Sequence, residues 1–350
     1  MDVRYLKEND WIHLNDYFSS KEGANIYHLR HWKNILVTTY KFTPHYIIAV
    51  DNNHIQGFLP LFKIRNLLGQ KKLISLPYSH FVPILYDSDE ACRELLISAE
   101  SIAQRIKAEK ILIKSSLKGS RPKWEKFSEN YLSLLDLRKD INQIKSNIKN
   151  STRRNIKKAE KENVNIKIGC DIKDYRDFYE LMVDTRKRQG SPPYPRKFFE
   201  ALYGSFDSEK MCLFQAFRNE RLLGGIIMFY YGDRAIYAYG ASVSDKSLMR
   251  SRPNELLFWK AILDAWEKGY SIFDFGITPF YNTTLLHFKS RWGVNTYKIF
   301  FTYFPNSPLK KKPLINRESG YYRMASKILE QTPRPMIKIL GPQLLKYFGY

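Results

Sequence analysis

Two side chains in the last third of the chain have the types and surroundings to do chemistry. Asp274 stands in the run Phe273-Asp274-Phe275-Gly276, and Lys289 lies between Phe288 and Trp292. A carboxylate among strand aromatics can accept a proton or orient a nucleophile; it can equally cap the turn that follows. A lysine fixed among aromatics is either a stacked surface residue or a placed cation. In the second role it would neutralise charge on a carbonyl or phosphate oxygen. Tyr237 and Tyr239 alternate with Ala238, which puts both on one side of a strand, as cleft lining or as plain packing. Arg186, Arg188 and Arg252 are forks that match phosphate, or solvated loop cations. The seven histidines, His13, His28, His31, His45, His54, His80 and His287, show no metal spacing and no nucleophile elbow. The expectation is no metal and no Ser- or Cys-based covalent step.

The elements that must position these residues follow from periodicity. Ile236–Tyr239 is aromatic and β-branched and predicts a strand, interrupted at Gly240 by a bulge or a close backbone approach. Pro253 suits a first helical turn, and Leu256, Trp259, Leu263 and Trp266 recur at helical spacing up to a stop at Gly269. Only Lys260, Asp264 and Glu267 form a polar strip, so this helix lies against a sheet. Residues 271–276 predict a strand with Phe273 and Phe275 on one face and Asp274 on the other, near the strand's C-terminal end. Strand, helix, strand in this order implies a parallel crossover, whose strand ends are where open α/β sheets bind ligands.

The chain has 350 residues, 44% apolar and 15% aromatic, which suits two globular domains rather than disorder. Cys92, Cys170 and Cys212 are far apart and odd in number, as in a reducing cytosol. No charged-then-apolar leader opens the sequence, and the apolar run 222–231 falls short of the roughly 20 residues of a membrane helix. Cytoplasmic location is therefore expected. The net charge of +22 is concentrated. Residues 138–161 hold nine Lys/Arg against Asp140 and Glu160, and residues 305–350 hold nine against Glu318 and Glu330. The first stretch predicts a helix, a break at Asn150-Ser151-Thr152 with a fresh N-cap, and a second basic helix over 153–161.

The halves look duplicated. Strands at 55–62, 72–76 and 110–114 with a helix at 92–106 match strands at 222–231, 235–242 and 270–276 with a helix at 253–268. The offset is roughly 165 residues. The organisation expected is a first domain over 1–137, a basic helical linker over 138–161, a catalytic domain over 162–304 and a basic-apolar tail over 305–350. The fold class is α/β (α+β), each domain a mixed twisted sheet flanked by helices.

The order Tyr237, Tyr239-Gly240, Ser242, Pro253, Trp259, Phe273-Asp274-Phe275-Gly276, Phe288-Lys289 and Trp292-Gly293 resembles the C-terminal domain of the Fem family. These are the aminoacyltransferases that build peptidoglycan cross-bridges. Residues 152–159 resemble the helix that opens that domain, and 186–199 are similar to Fem-like proteins of polysaccharide and exosortase gene clusters. The match is good over 150–300 and looser in the first half, through Trp32 and Leu76-Pro77-Tyr78. The resemblance implies tandem GNAT-type domains and direct attack of an amine on an activated ester, without a tightly bound cofactor. The donor would be aminoacyl-tRNA, the acceptor an amine of a nucleotide- or lipid-linked envelope precursor. The long coiled-coil arm of some members is missing.

On that reading Lys289 faces the carbonyl under attack, Asp274 and Tyr239 complete the catalytic set, and Tyr237, Ser242, Arg186, Arg188 and Arg252 bind substrate. Arg153, Arg154, Lys157 and Lys158 hold the tRNA backbone or form a solvated face. The tail is a candidate contact with an anionic membrane, with Gly341-Pro342 breaking its helix. Residues 249–253, Met-Arg-Ser-Arg-Pro, lack the glycine-rich loop that holds pyrophosphate in CoA-dependent relatives. Two rival readings are kept: an acyl-CoA-dependent N-acetyltransferase acting on an amino sugar of an exported polysaccharide, and a non-catalytic nucleic-acid or membrane adaptor.

Overall fold

The structure, a computed structural model, describes residues 1–66, 69–117, 123–305 and 320–348, which fall into two compact units. The first runs from Met1 to Asn130 and takes in later segments beginning at Lys298 and Lys346; the second is Tyr131–Tyr297 with residues 320–345.

In the first unit Asp2–Tyr5, Ile47–Asp51, His54–Leu59 and Leu85–Tyr86 form an antiparallel sheet. Beside it, strand Lys71–Ile74 passes through helix Asp89–Arg105 to the parallel strand Ala108–Ile113. Leu95, Leu96, Ala99 and Ile102 of the helix close the core on Leu73, Ile111 and Ile113. The strand expected over 55–62 is two, His54–Leu59 and Phe62–Arg65, because Pro60 has no N–H to give a ladder.

The second unit repeats this order. Asn165–Gly169, Met211–Arg218, Arg221–Tyr231 and Arg234–Ser242 form an antiparallel meander, and helix Pro253–Glu267 leads to the parallel strand Ile272–Pro279. Strand, helix and strand begin at Lys71, Asp89 and Ala108 in one unit and at Arg234, Pro253 and Ile272 in the other. The duplicated α/β architecture read from the sequence is thus present. The crossover helix starts with proline and ends before Gly269, whose φ of +79° suits a glycine. Leu256, Leu257, Phe258, Ala261, Ile262 and Ala265 bury it against the sheet.

Helices Ile141–Asn147 and Asn150–Lys161 are integral to the second unit, for Ile144, Ile148, Ile156 and Ala159 join its core. The break falls at Ile148-Lys149, and Lys149 rather than a serine or asparagine is the N-cap, with no side-chain cap bond. The C-terminal helices are Gly320–Gln331 and Arg334–Phe348. The second continues through Pro342, against the break expected at Gly341-Pro342. Packing overrides propensity here: Ile337 and Leu345 are buried, and Gly341 sits so close to Pro193 that a Cβ would lie 2.3 Å from its Cδ. Residues 306–319 of the basic tail lie outside the described residues.

Candidate active site

The strands that flank the crossover helix of the second unit part early. Pairing runs through Arg234↔Ile272 and Ala235↔Phe273 and ends at Ile236↔Asp274. Beyond it, Tyr237–Ser242 and Phe275–Pro279 continue as two arms of a fork. In the first unit the matching strands stay paired to Ile74↔Leu112, and Ser75 N–H still reaches Leu112 O at 2.8 Å. The strands of the second copy part earlier than those of the first, and Asp274 stands where they part. Counted from the start of its strand, Asp274 corresponds to Lys110 in the first copy, which has no carboxylate there.

Asp274 is buried, on the face away from Phe273 and Phe275, which pack into the core under the crossover helix. Its strand runs on to Pro279, so it sits near the beginning and not the expected C-terminal end. Its Oδ1 accepts the Gly276 N–H at 2.7 Å. Burial pushes its carboxyl above the ordinary range, opposed by that N–H and by the charges of Arg234 and Lys289.

Lys289, on helix Thr283–Ser290, is 2% exposed, which rules out a stacked surface residue. Phe288 and Trp292 on either side pack against Phe258 of the crossover helix and anchor the lysine helix. Lys289 Nζ donates to Gly276 O at 2.8 Å and to Ile277 O at 3.2 Å. Successive carbonyls of a regular strand point to opposite sides. Here both face one ammonium, next to a backbone turned at Gly276, whose φ is +73°. Burial lowers the lysine to about 7, and the nearby Asp274 charge acts the other way. An ammonium has three donors, and two are used, so one N–H remains for a ligand. One residue beyond Ile277, the Thr278 hydroxyl is fully buried and makes no hydrogen bond within the protein. Nothing in the sequence singles it out.

Tyr237 and Tyr239 do not share a face. Met228 pairs with Tyr237 and Ile227 with Tyr239, so Ala238 is an extra residue, a bulge that reverses the alternation. Tyr237 packs on Phe258 of the crossover helix. Burial lifts its phenol to about 12, so it stays a neutral donor. Tyr239 sits on the opposite side among Tyr194, Phe198, Phe199 and Phe229. At Gly240 the close approach is by a side chain and not by the backbone expected: a Cβ there would lie 2.2 Å from Tyr237 Oη.

Ser242, at the tip of its fork arm, is held by Thr185, whose Oγ1 accepts from Ser242 N–H and donates to Ser242 O, both at 3.1 Å. Arg188 Nη2 also reaches Ser242 O, at 3.3 Å. Arg186 turns elsewhere, donating to Pro192 O and lying over the Tyr194 ring. Arg252 is exposed at the N-cap of the crossover helix with φ of +60°, a conformation that a glycine would adopt without strain. Pro253 follows and offers no amide proton. Of the four cations expected on nucleic acid, Arg153, Arg154 and Lys157 line an open concavity of about 320 Å³ with Lys145, Asn142 and Asn150. Lys158 instead pairs with Glu162 at 3.5 Å. Among the described residues no group of three His, Cys, Asp or Glu side chains is arranged to hold a metal ion.

Residues 146–298 match the family model described as acetyltransferase (GNAT) domain. The second unit carries a GNAT domain. Solved structures extend the likeness over both units. The crystal structure of FemX covers 88% of this chain and 98% of its own at a TM-score of 0.69 and 18% identity. A tandem GNAT protein of the clavulanic acid pathway covers 88% and 99% at 0.56 and 9%. The structure of L-PGS from Bacillus licheniformis covers 98% of both chains at 0.53 and 11%. No curated protein matches by sequence. The chain therefore has a Fem-like, tandem GNAT fold, and the forked strands with their crossover helix belong to its GNAT domain.

Proposed function

We propose that this protein is an N-acyltransferase that moves an aminoacyl group from aminoacyl-tRNA to an amine of a cell-envelope precursor. The observation that carries the reading is the fork in the second unit, with Asp274 at its apex and the Lys289 ammonium against one arm. An amine attacking an ester builds negative charge on the carbonyl oxygen. The free N–H of Lys289 supplies a preorganised donor for it in a buried setting, where such a contact is worth most. The attacking amine must lose a proton, and the Asp274 carboxylate, raised by burial, is suited to take it or to orient the amine. Tyr237, Ser242 and Arg188 lie along the Arg234–Ser242 arm as substrate contacts. Tyr239 serves in the aromatic packing behind it.

Two features support tRNA as donor carrier over coenzyme A. Arg252-Pro253 at the start of the crossover helix takes the place of the glycines and amides that cradle a pyrophosphate. The concavity of Lys145, Arg153, Arg154 and Lys157 supplies clustered, sequence-independent phosphate contacts. The Fem-like resemblance of residues 150–300 supports the acceptor class, and FemX and L-PGS share the fold.

Donor titration tests the proposal. Charged tRNA should bind with an affinity that falls steeply as salt rises, and K145E/R153E/K157E should abolish that binding. Saturable acetyl-CoA binding with no affinity for tRNA would instead favour the N-acetyltransferase of an exported amino sugar. Mass spectrometry of envelope precursors from cells with and without the protein identifies the acceptor.

A further inference from the structure

The helix Arg334–Phe348 is apolar on two opposite sides. One side, Ile337, Gly341 and Leu345, is buried in the protein. The other presents Met336, Ile339 and Leu340 at 51%, 67% and 49% exposure. At 100° per residue these three span one arc opposite the buried face, with Gln343 the one polar residue between them. A surface helix normally turns charge outward, and this one does not. The preceding helix, Gly320–Gln331, shows the same trait, with Met324 and Ile328 each 57% exposed one turn apart. Arg323 and Lys327, both exposed, flank that pair.

The helices are fixed in place. Arg334 pairs with Glu180 and Asp184 at 2.6 and 2.7 Å, and Lys338 with Glu180 at 2.8 Å. Lys187 Nζ donates to Glu330 O at 2.6 Å. The outward apolar side chains are therefore a built feature of the surface. Along 320–348 five Lys/Arg stand against the single carboxylate of Glu330.

We propose that this outward face docks in the interfacial layer of an anionic bilayer, lying on the membrane without crossing it. Charge complementarity selects the occupant. Exposed aliphatic side chains with the exposed cations Arg323 and Lys327 beside them suit a surface of negative headgroups over acyl chains. A two-fold pairing through this face would bury Arg323 and Lys327 with Glu330 as the single carboxylate of 320–348 to offset them. A span is excluded for the described helices, none of which is long and apolar enough to cross. The inference goes beyond the proposed acyl transfer and does not depend on it: it places the protein where a lipid-borne acceptor would be, whatever the donor.

Flotation of the full-length protein on sucrose gradients tests this directly. Vesicles of phosphatidylcholine with about one-third phosphatidylglycerol would be compared with phosphatidylcholine alone, at about 0.1 M salt. Wild type should float with the anionic vesicles and at least tenfold less with the neutral ones. M336S/I339S/L340S and, separately, R323E/K327E should each lose at least tenfold in bound fraction at an unchanged thermal melt. Because all five side chains are exposed, either variant suffices if the other fails to fold. Wild type left at the bottom of the gradient, or variants that float like wild type, would overturn the proposal. So would an apolar-face variant that converts a dimer to a monomer, since the face would then belong to a second copy.

Discussion

Asp274 and Lys289 meet on one residue: the carboxylate accepts the Gly276 N–H and the ammonium donates to the Gly276 carbonyl. The two charges meet on the two sides of that residue instead of forming a direct ion pair, so each keeps hydrogen-bonding capacity for a substrate. Lys289→Ala removes the donor and leaves two strand carbonyls unpaired. Losing one oxyanion donor costs about 10²–10³ in kcat. The expected outcome is a turnover loss of that size with a thermal melt lowered by a few degrees. Product formation in a donor-to-amine transfer assay is the measurement, and near-normal turnover would reject the role.

The pH dependence follows from burial. Lys289 is held near about 7, far below an exposed lysine, so its donating form declines as pH rises through that value. If the protonated lysine is what stabilises the oxyanion, kcat/KM should fall with a single limb centred near pH 7. A profile flat from pH 6 to 9 would show that the ammonium is not required.

Asp274→Asn separates chemistry from turn capping. The asparagine Oδ1 can still accept the Gly276 N–H, so the strand and its melt should survive. The charge that helps hold a proton on Lys289 is gone, so the limb near pH 7 should move to lower pH. Loss of proton acceptance should also cost about 10²–10⁴ in rate. A carboxylate that merely caps a turn would still move the limb, by its charge alone, but would leave the rate below that limb unchanged.

Much of this arrangement was legible in the sequence. Proline at 253, glycine at 269 and the apolar spacing between them defined the crossover helix, because caps and periodicity are local signals. Asp274 and Lys289 stood out by residue type among aromatics. What escaped notice depends on long-range pairing. Ala238 reads as an ordinary strand alanine; its bulge exists only against Ile227 and Met228, and it sends Tyr239 to the far face. Thr185 and Thr278 carry no motif, since their roles arise from where a neighbouring strand ends. The continuity of the last helix through Pro342 is set by burial of Ile337 and Leu345, which no local propensity reports.

The first unit has its own buried lysine. Lys114 donates to Ser79 O at 3.0 Å, and burial lowers it to about 7 from the ordinary 10.5. Between those values the unfolded chain holds a proton that the folded chain lacks, so stability rises with pH across that window. Its cost is fully present below about pH 7. Lys72 and Lys289, lowered to about 7 by the same cause, act in the same direction. Denaturant midpoints should therefore increase from pH 7 to pH 9, and Lys114→Met should flatten part of that rise. A midpoint that falls over this range would contradict the burial of these groups.

Thr278→Val tests whether the fork has a further ligand contact. The hydroxyl has lost water without gaining a partner in the protein, a state that costs about 1–3 kcal/mol. Valine has nearly the same shape and no polar atom, so the melting temperature should rise by a few degrees. If the hydroxyl is kept for substrate, affinity or turnover should fall while stability improves, a divergence that a packing role cannot produce. A variant more stable and equally active would assign Thr278 to the core alone. The two readouts, melt and transfer rate, decide between these on the same sample.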